Sequence, residues 1–223
     1  MRPARAVLAA CALAALGCTV GSGEGWVRGT MFHPACGYSG GAGADAGADA
    51  GAAGSSYTLT VLYLFGYVVG DRLDIRLQNT GAFISVSDGL TISLRNRHDI
   101  VEAIGAGGSV SVPVYGELPS PPATGSGIPD IVAQAALYLN RSCPDSYVDF
   151  SRIVSGAIVF ESMYARTADG DPENIDHIKG SFTGLTFRDM RPEVAVDGVA
   201  PWVTIDGAFD FDYTRGRPAQ PFP

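Results

Sequence analysis

The run from Val203 to Tyr213 alternates so regularly that few folds can hold it. Val203, Ile205, Phe209, Phe211 and Tyr213 fall on one side, and Thr204, Asp206, Asp210 and Asp212 on the other. A period of two marks a strand buried on one face and wet on the other. Its motif Ile205-x-Gly207-x-Phe209 echoes Ile178-x-Gly180-x-Phe182 upstream. The earlier copy belongs to a stretch, Ile153 to Phe187, that reads as two strands around one acidic loop: IVSGAIVFESMY, ARTADGDPENIDH and IKGSFTGLTF.

The rest of the chain keeps the same rhythm. WVRGTMF (Trp26 to Phe32) reads as a first strand. Tyr57 to Phe65 alternates Tyr57, Leu59, Val61, Tyr63 and Phe65 with polar positions. Leu73/Ile75/Leu77, Leu90/Ile92/Leu94 and Val110/Val112/Val114 follow in quick succession. Gly70-Asp71, Asn79-Thr80-Gly81, Asp88-Gly89 and the glycines from Gly105 to Gly108 supply turns between them. The stretch from Ile131 to Asn140 fits a helix capped by Asp130 or a strand leading into Cys143, and the strand is preferred. With 29 glycines and 46% apolar residues, the expected fold is all-β. We expect an antiparallel β-sandwich of roughly eight to ten short strands.

Two segments stand outside this pattern. GGAGADAGADAGAAG lies within 39–56, has almost no side chain to bury, and is expected to be a disordered insertion. Residues 214–223, ending RGRPAQPFP, are expected to form an extended tail. The folded domain is therefore expected over 25–213.

At the other end, Arg2 and Arg5 precede an apolar run, Ala6 to Leu16, too short to cross a bilayer as a stable helix. It ends in Ala15-Leu16-Gly17-Cys18, which resembles the lipobox of bacterial lipoprotein signal peptides. Leu8-Ala9-Ala10-Cys11 fits the short motif better, but lies too close to Arg5 to leave room for an apolar run, so Cys18 is chosen. The resemblance covers residues 1–18 only. It implies a signal peptide over 1–17, lipid on Cys18, a tether over 18–24, and attachment to the membrane through that lipid. Thr19, not being an aspartate, does not resemble an inner-membrane retention signal, so the outer membrane or cell surface is expected.

Removing 1–17 takes away two arginines and no acids, leaving 13 basic against 23 acidic side chains. A chain this acidic, with Lys179 as its one lysine and no basic cluster, is a poor partner for nucleic acid or for anionic lipid. Of the four cysteines, Cys11 is discarded and Cys18 lipidated. Cys36 and Cys143 remain, and in an exported protein two leftover cysteines are expected to pair.

Candidate chemistry is sparse. Gly37-Tyr38-Ser39-Gly40-Gly41 matches G-x-S-x-G, with His98-Asp99 as conceivable partners. That motif needs a helix after its serine, and here it runs into the glycine-rich segment. His33, His98 and His177 show no metal-binding spacing. Asp169, Asp171, Glu173 and Asp176 put four carboxylates within eight residues, and a hard cation such as calcium could draw several inward. An ordinary solvated turn accounts for the same residues. The Asp206, Asp210, Asp212 row has the carboxylate spacing of a glycosidase pair, and Trp26 and Trp202 are conceivable sugar platforms. The resulting expectation is a lipid-anchored cell-envelope protein with a non-enzymatic binding or structural role. Its protein or glycan partner is unspecified, and it has no cofactor unless calcium is bound. A calcium-assisted glycan- or ligand-binding module is the alternative, and a glycosidase the third reading.

Overall fold

A computed structural model describes residues 21–39, 54–116, 132–144, 149–150, 153–165, 175–189, 191, 193 and 195–214. The signal peptide, Cys18, most of the Gly/Ala/Asp segment, the C-terminal tail and Asp169, Asp171 and Glu173 lie outside the described residues.

The fold is all-β. In chain order the strands are β1 (Ser22–Phe32), β2 (Ser55–Leu59), β3 (Tyr63–Val69), β4 (Arg72–Gln78) and β5 (Asp88–Leu94). After the helix α1 (Arg97–Gly107) come β6 (Val110–Tyr115), β7 (Ala133–Leu139), β8 (Asp149–Phe150) and β9 (Ile153–Ser155). β10 (Ala157–Ala165), β11 (Ile175–Arg188) and β12 (Trp202–Thr214) complete the set. Ten of them join side by side in the order β2-β1-β12-β11-β10-β6-β7-β5-β4-β3, with β8 on β7 and β9 on β11. This one sheet curls into a half-barrel. The two layers expected of a sandwich are thus two limbs of a continuous sheet. Among the described residues every strand pairing is antiparallel except β6 with β7, a short parallel contact where the limbs meet.

One core fills the curl. Val27 and Met31 of β1 meet Val203, Ile205, Phe209, Phe211 and Tyr213 of β12. Phe160, Ile178, Phe182 and Phe187 share the same cluster with Leu73, Ile75 and Leu77 of β4 and Leu90, Ile92 and Leu94 of β5. The regular alternation in β12 is this burial pattern, and the repeated motif has a packing reason. In the β11–β12 register Gly180 lies opposite Phe209, and Phe182 opposite Gly207. Each phenylalanine ring covers the glycine of the neighbouring strand.

Four local expectations are corrected. Tyr57 to Phe65 is not one strand: β2 and β3 occupy opposite ends of the sheet, joined through 60–62, where Leu62 is 73% exposed. The inward set in β3 is Leu64 and Gly66, so Tyr63 and Phe65 form a separate small cluster. The curl returns β3 to the start of the chain, where the Gly21 N–H donates to the Leu64 carbonyl at 2.9 Å. Secondly, Ile153 to Tyr164 is broken at Gly156, whose φ of +130° few other residues adopt. Thirdly, Arg97 to Gly107 is a helix, not a lead-in to a glycine turn. Its Ile100 and Ile104, one turn apart, are buried in the core. The stretch from Ala133 to Leu139 is a strand, as preferred, and Ser22 to Glu24, placed by sequence in the tether, already belong to β1.

Cys36 and Cys143 form a disulfide, with Cα atoms 5.4 Å apart. Cys36 ends the short 3-10 turn Pro34–Cys36 after β1, and Cys143 sits in the turn after β7. The bond therefore ties together two strands that are not neighbours in the sheet. The buried Asp88 braces the same turn, accepting from the Arg141 N–H at 2.8 Å and the Ser142 N–H at 3.0 Å.

Candidate functional site

The outward faces of β1, β12, β11 and β10 lie side by side, so residues far apart in sequence line up across them. One straight row is Glu24, Asp210, Lys179 and Ser162, each directly opposite the next. The rows on either side contain Trp26, Ala208 and Ser181, and Ser22, Asp212 and His177.

Ser162 reaches this face through a β-bulge. The pairing of β10 with β11 shifts between Phe160 and Ser162, so Glu161 is inserted without a partner. Phe160 and Met163 both stay in the core while Glu161 and Ser162 point outward between them. Strict alternation would have sent Ser162 inward with Ile158 and Phe160, which is why the sequence pattern hides it.

His177 bridges two diagonal neighbours. Its Nδ1 lies 2.8 Å from Ser162 Oγ, and its Nε2 lies 2.8 Å from Asp210 Oδ1. The imidazole side chain is 17% exposed and Asp210 43%. Lys179 Nζ stands 3.3 Å from Glu161 Oε2 and 3.7 Å from Asp210 Oδ2. The hydrogen bond and charge of Glu161, then the charge of Asp210, hold the ammonium above the usual lysine range. Ser162, His177, Asp210, Lys179 and Glu161 thus form one linked polar network.

Beside the network is a concavity of about 150 Å³. Trp26, Glu24, Glu161, Lys179, Ser181 and Asp210 line it, over the short side chain of Ala208 and the backbone at Gly25 and Gly180. Trp26 is 42% exposed, and the Arg28 guanidinium lies 4.6 Å from its ring centroid. That cation–π contact holds the indole in place without burying it.

The structure unites two residues singled out in sequence, Trp26 and Asp210, leaves Asp212 beside them, and separates Asp206, Trp202, Asp176, Ser39 and His98 from them. Asp206 accepts from the Gly184 N–H at 2.8 Å and pins the bulge of β11. Asp212 stands opposite Ser22 and His177, next to the site. Trp202 pairs with Phe32 and Arg188 near the far end of β12. Asp176 is buried near the start of β11, opposite Tyr213, on the face away from His177. Among the described residues no three His, Cys, Asp or Glu converge as a metal site. Ser39 follows the 3-10 turn closed by Gly37, while His98 lies on α1, 3.7 Å from Asp71.

Sequence reasoning passed over Glu161, Ser162, Lys179 and His177 as site residues. A signal for the last two was present: pairing the two I-x-G-x-F motifs antiparallel places His177 and Lys179 on the same face as Asp210.

No protein-family model, curated protein or solved structure matches the chain.

Proposed function

We propose that this is a lipid-anchored cell-envelope protein whose outer sheet face, around Trp26, binds a glycan of the envelope. The observation that carries this reading is the half-exposed, Arg28-braced indole beside a concavity ringed by hydrogen-bonding groups. A sugar ring has an apolar C–H face that lies on an aromatic ring. Its rim of hydroxyls suits the acceptors Glu24, Glu161 and Asp210 and the donor Lys179. Convergent polar groups around one apolar surface are the usual make-up of a small-ligand site.

The anchor supports the same location. With lipid on Cys18, Trp26 is eight positions further along the chain, so the indole stays within about 30 Å of the bilayer even if fully extended. The envelope's own polymers are the glycans within that reach.

The test is a titration of tryptophan fluorescence with N-acetylglucosamine oligomers and with a neutral glucan, alongside calorimetry. Saturable binding that persists in Trp202→Phe and disappears in Trp26→Ala is the expected result. Absence of binding to either polymer, or undiminished binding in Trp26→Ala, removes this reading.

A further inference from the structure

We propose that Ser162, His177 and Asp210 form a nucleophilic relay that hydrolyses small acyl esters, with O-acylated sugars as the substrate class. The substrate class rests on the glycan reading above; the chemistry rests on the relay alone.

A carboxylate only accepts hydrogen bonds, so the contact to Asp210 places the imidazole hydrogen on Nε2. The Nδ1 lone pair is then free for the Ser162 hydroxyl, 2.8 Å away. A nucleophile within hydrogen-bond reach of a base, with the base oriented by a third group, is the arrangement that activates serine. The relay is mostly shielded at its centre, and Ser162 stands directly opposite Lys179, a residue that lines the concavity. Lys179, in register with Ser162 and paired with Glu161 and Asp210, is the cation this face offers to a developing oxyanion. The β10 bulge is what turns Ser162 to this face.

The reaction balances without a cofactor. Ser162 Oγ bonds to the ester carbonyl carbon as its proton passes to His177 Nδ1. The tetrahedral oxyanion collapses, the bond to the alcohol oxygen breaks, and the same proton leaves with the alcohol. Water then adds to the acyl-serine with His177 again as base, releasing the carboxylic acid and restoring Ser162. Asp210 is a positioning residue, acting through the imidazole.

The experiment treats the wild-type protein with a fluorophosphonate and follows p-nitrophenyl acetate hydrolysis. One adduct, mapped to Ser162 and lost in Ser162→Ala, is expected. Hydrolysis should fall by about 10²–10⁴-fold in Ser162→Ala and His177→Gln. Asp210→Asn should lower kcat far more than KM and displace the pH profile, which loss of packing alone would not do. No adduct at Ser162, or equal hydrolysis by wild type and Ser162→Ala, overturns the relay. The glycan titration is run in parallel on Ser162→Ala. Labelling without glycan binding keeps the relay and removes the sugar substrate. Glycan binding without labelling keeps the binding site and removes the relay.

Discussion

The ring of Phe182 stands where a side chain on Gly207 would begin: a β-carbon built on Gly207 would lie 2.3 Å from the tip of that ring. The reciprocal contact, Gly180 under Phe209, leaves 2.7 Å. The two I-x-G-x-F motifs therefore fit each other as an aromatic ring over a glycine, twice, across the longest strand pair in the sheet. This seam also holds the candidate site, since His177, Lys179, Asp210 and Trp26 stand on the outer face of the same strands and their neighbour.

Adding a methyl group to that seam should cost stability by overpacking. Gly207→Ala is expected to lower the unfolding free energy by about 1–3 kcal/mol. The Trp26 carbonyl, 2.8 Å from the same point, limits how far the strands can yield. Combining it with Phe182→Leu should recover part of the loss, because the residues are in direct contact and their effects will not add. Denaturant midpoints for the two single variants and the double variant check this. Strict additivity would mean that the contact is not the cause.

The disulfide closes a loop with a sequence separation of 107 residues. The chain-entropy model credits a loop of that length with about 4–5 kcal/mol as an upper figure. Cys36→Ser with Cys143→Ser should therefore lower the unfolding free energy by several kcal/mol under non-reducing conditions. The denatured, unreduced wild type should offer neither thiol to an alkylating reagent. A labelled Cys36 or Cys143, or an unchanged midpoint in the double variant, would contradict this.

The contrast between what the sequence revealed and what it hid is physical. β12 was legible because one face meets the core and the other meets water along its whole length, so each position reports its own burial. β2 and β3 were not, because the period of two runs unbroken through the corner at 60–62, while the chain crosses from one edge of the sheet to the other. α1 was short and glycine-rich, and its buried pair Ile100 and Ile104 is a weak helical signal. The site suffered most. A bulge reverses the side on which Ser162 lies, and no periodicity announces an inserted residue. The disulfide needed only counting, because on the expectation of export two leftover cysteines have few other uses.

The proposed lipid attachment would place strict limits on the N-terminus. β1 begins at Ser22, and Gly21 is already bonded to Leu64. Between Cys18 and this fixed point stand only Thr19 and Val20. The mature protein should carry a diacylglyceryl thioether on Cys18, read by intact mass. It should partition into detergent, and the outer-membrane fraction should contain it. Cys18→Ala should lose the lipid mass. A mature N-terminus at any other residue would remove the anchor, and with it the distance limit on the ligand.

His33 should make stability fall on the acid side of neutrality. It ends the β1 pairing next to the disulfide turn, donating its backbone N–H to the Tyr38 carbonyl at 2.8 Å, and it is almost fully buried. Burial holds its pKa below the ordinary value of 6.5. The Arg191 cation adds to that depression, while a backbone hydrogen bond and the charge of Asp189 oppose it. Asp189 is itself fully buried and held by the Arg191 guanidinium, whose charge opposes the help that Asp189 gives an imidazolium. In the unfolded chain His33 protonates as the pH passes below 6.5, whereas in the folded protein it resists. Between 6.5 and the lower folded value the unfolded state thus binds more protons, and stability falls as the pH falls. Above 6.5 both states are neutral and this contribution is fully present. Unfolding free energies measured from pH 7.5 down to pH 5 on wild type and His33→Gln check the sign. The wild type should lose stability more steeply across this range, and the variant should show a shallower slope even if it starts lower. Equal slopes would place the acid sensitivity on other groups.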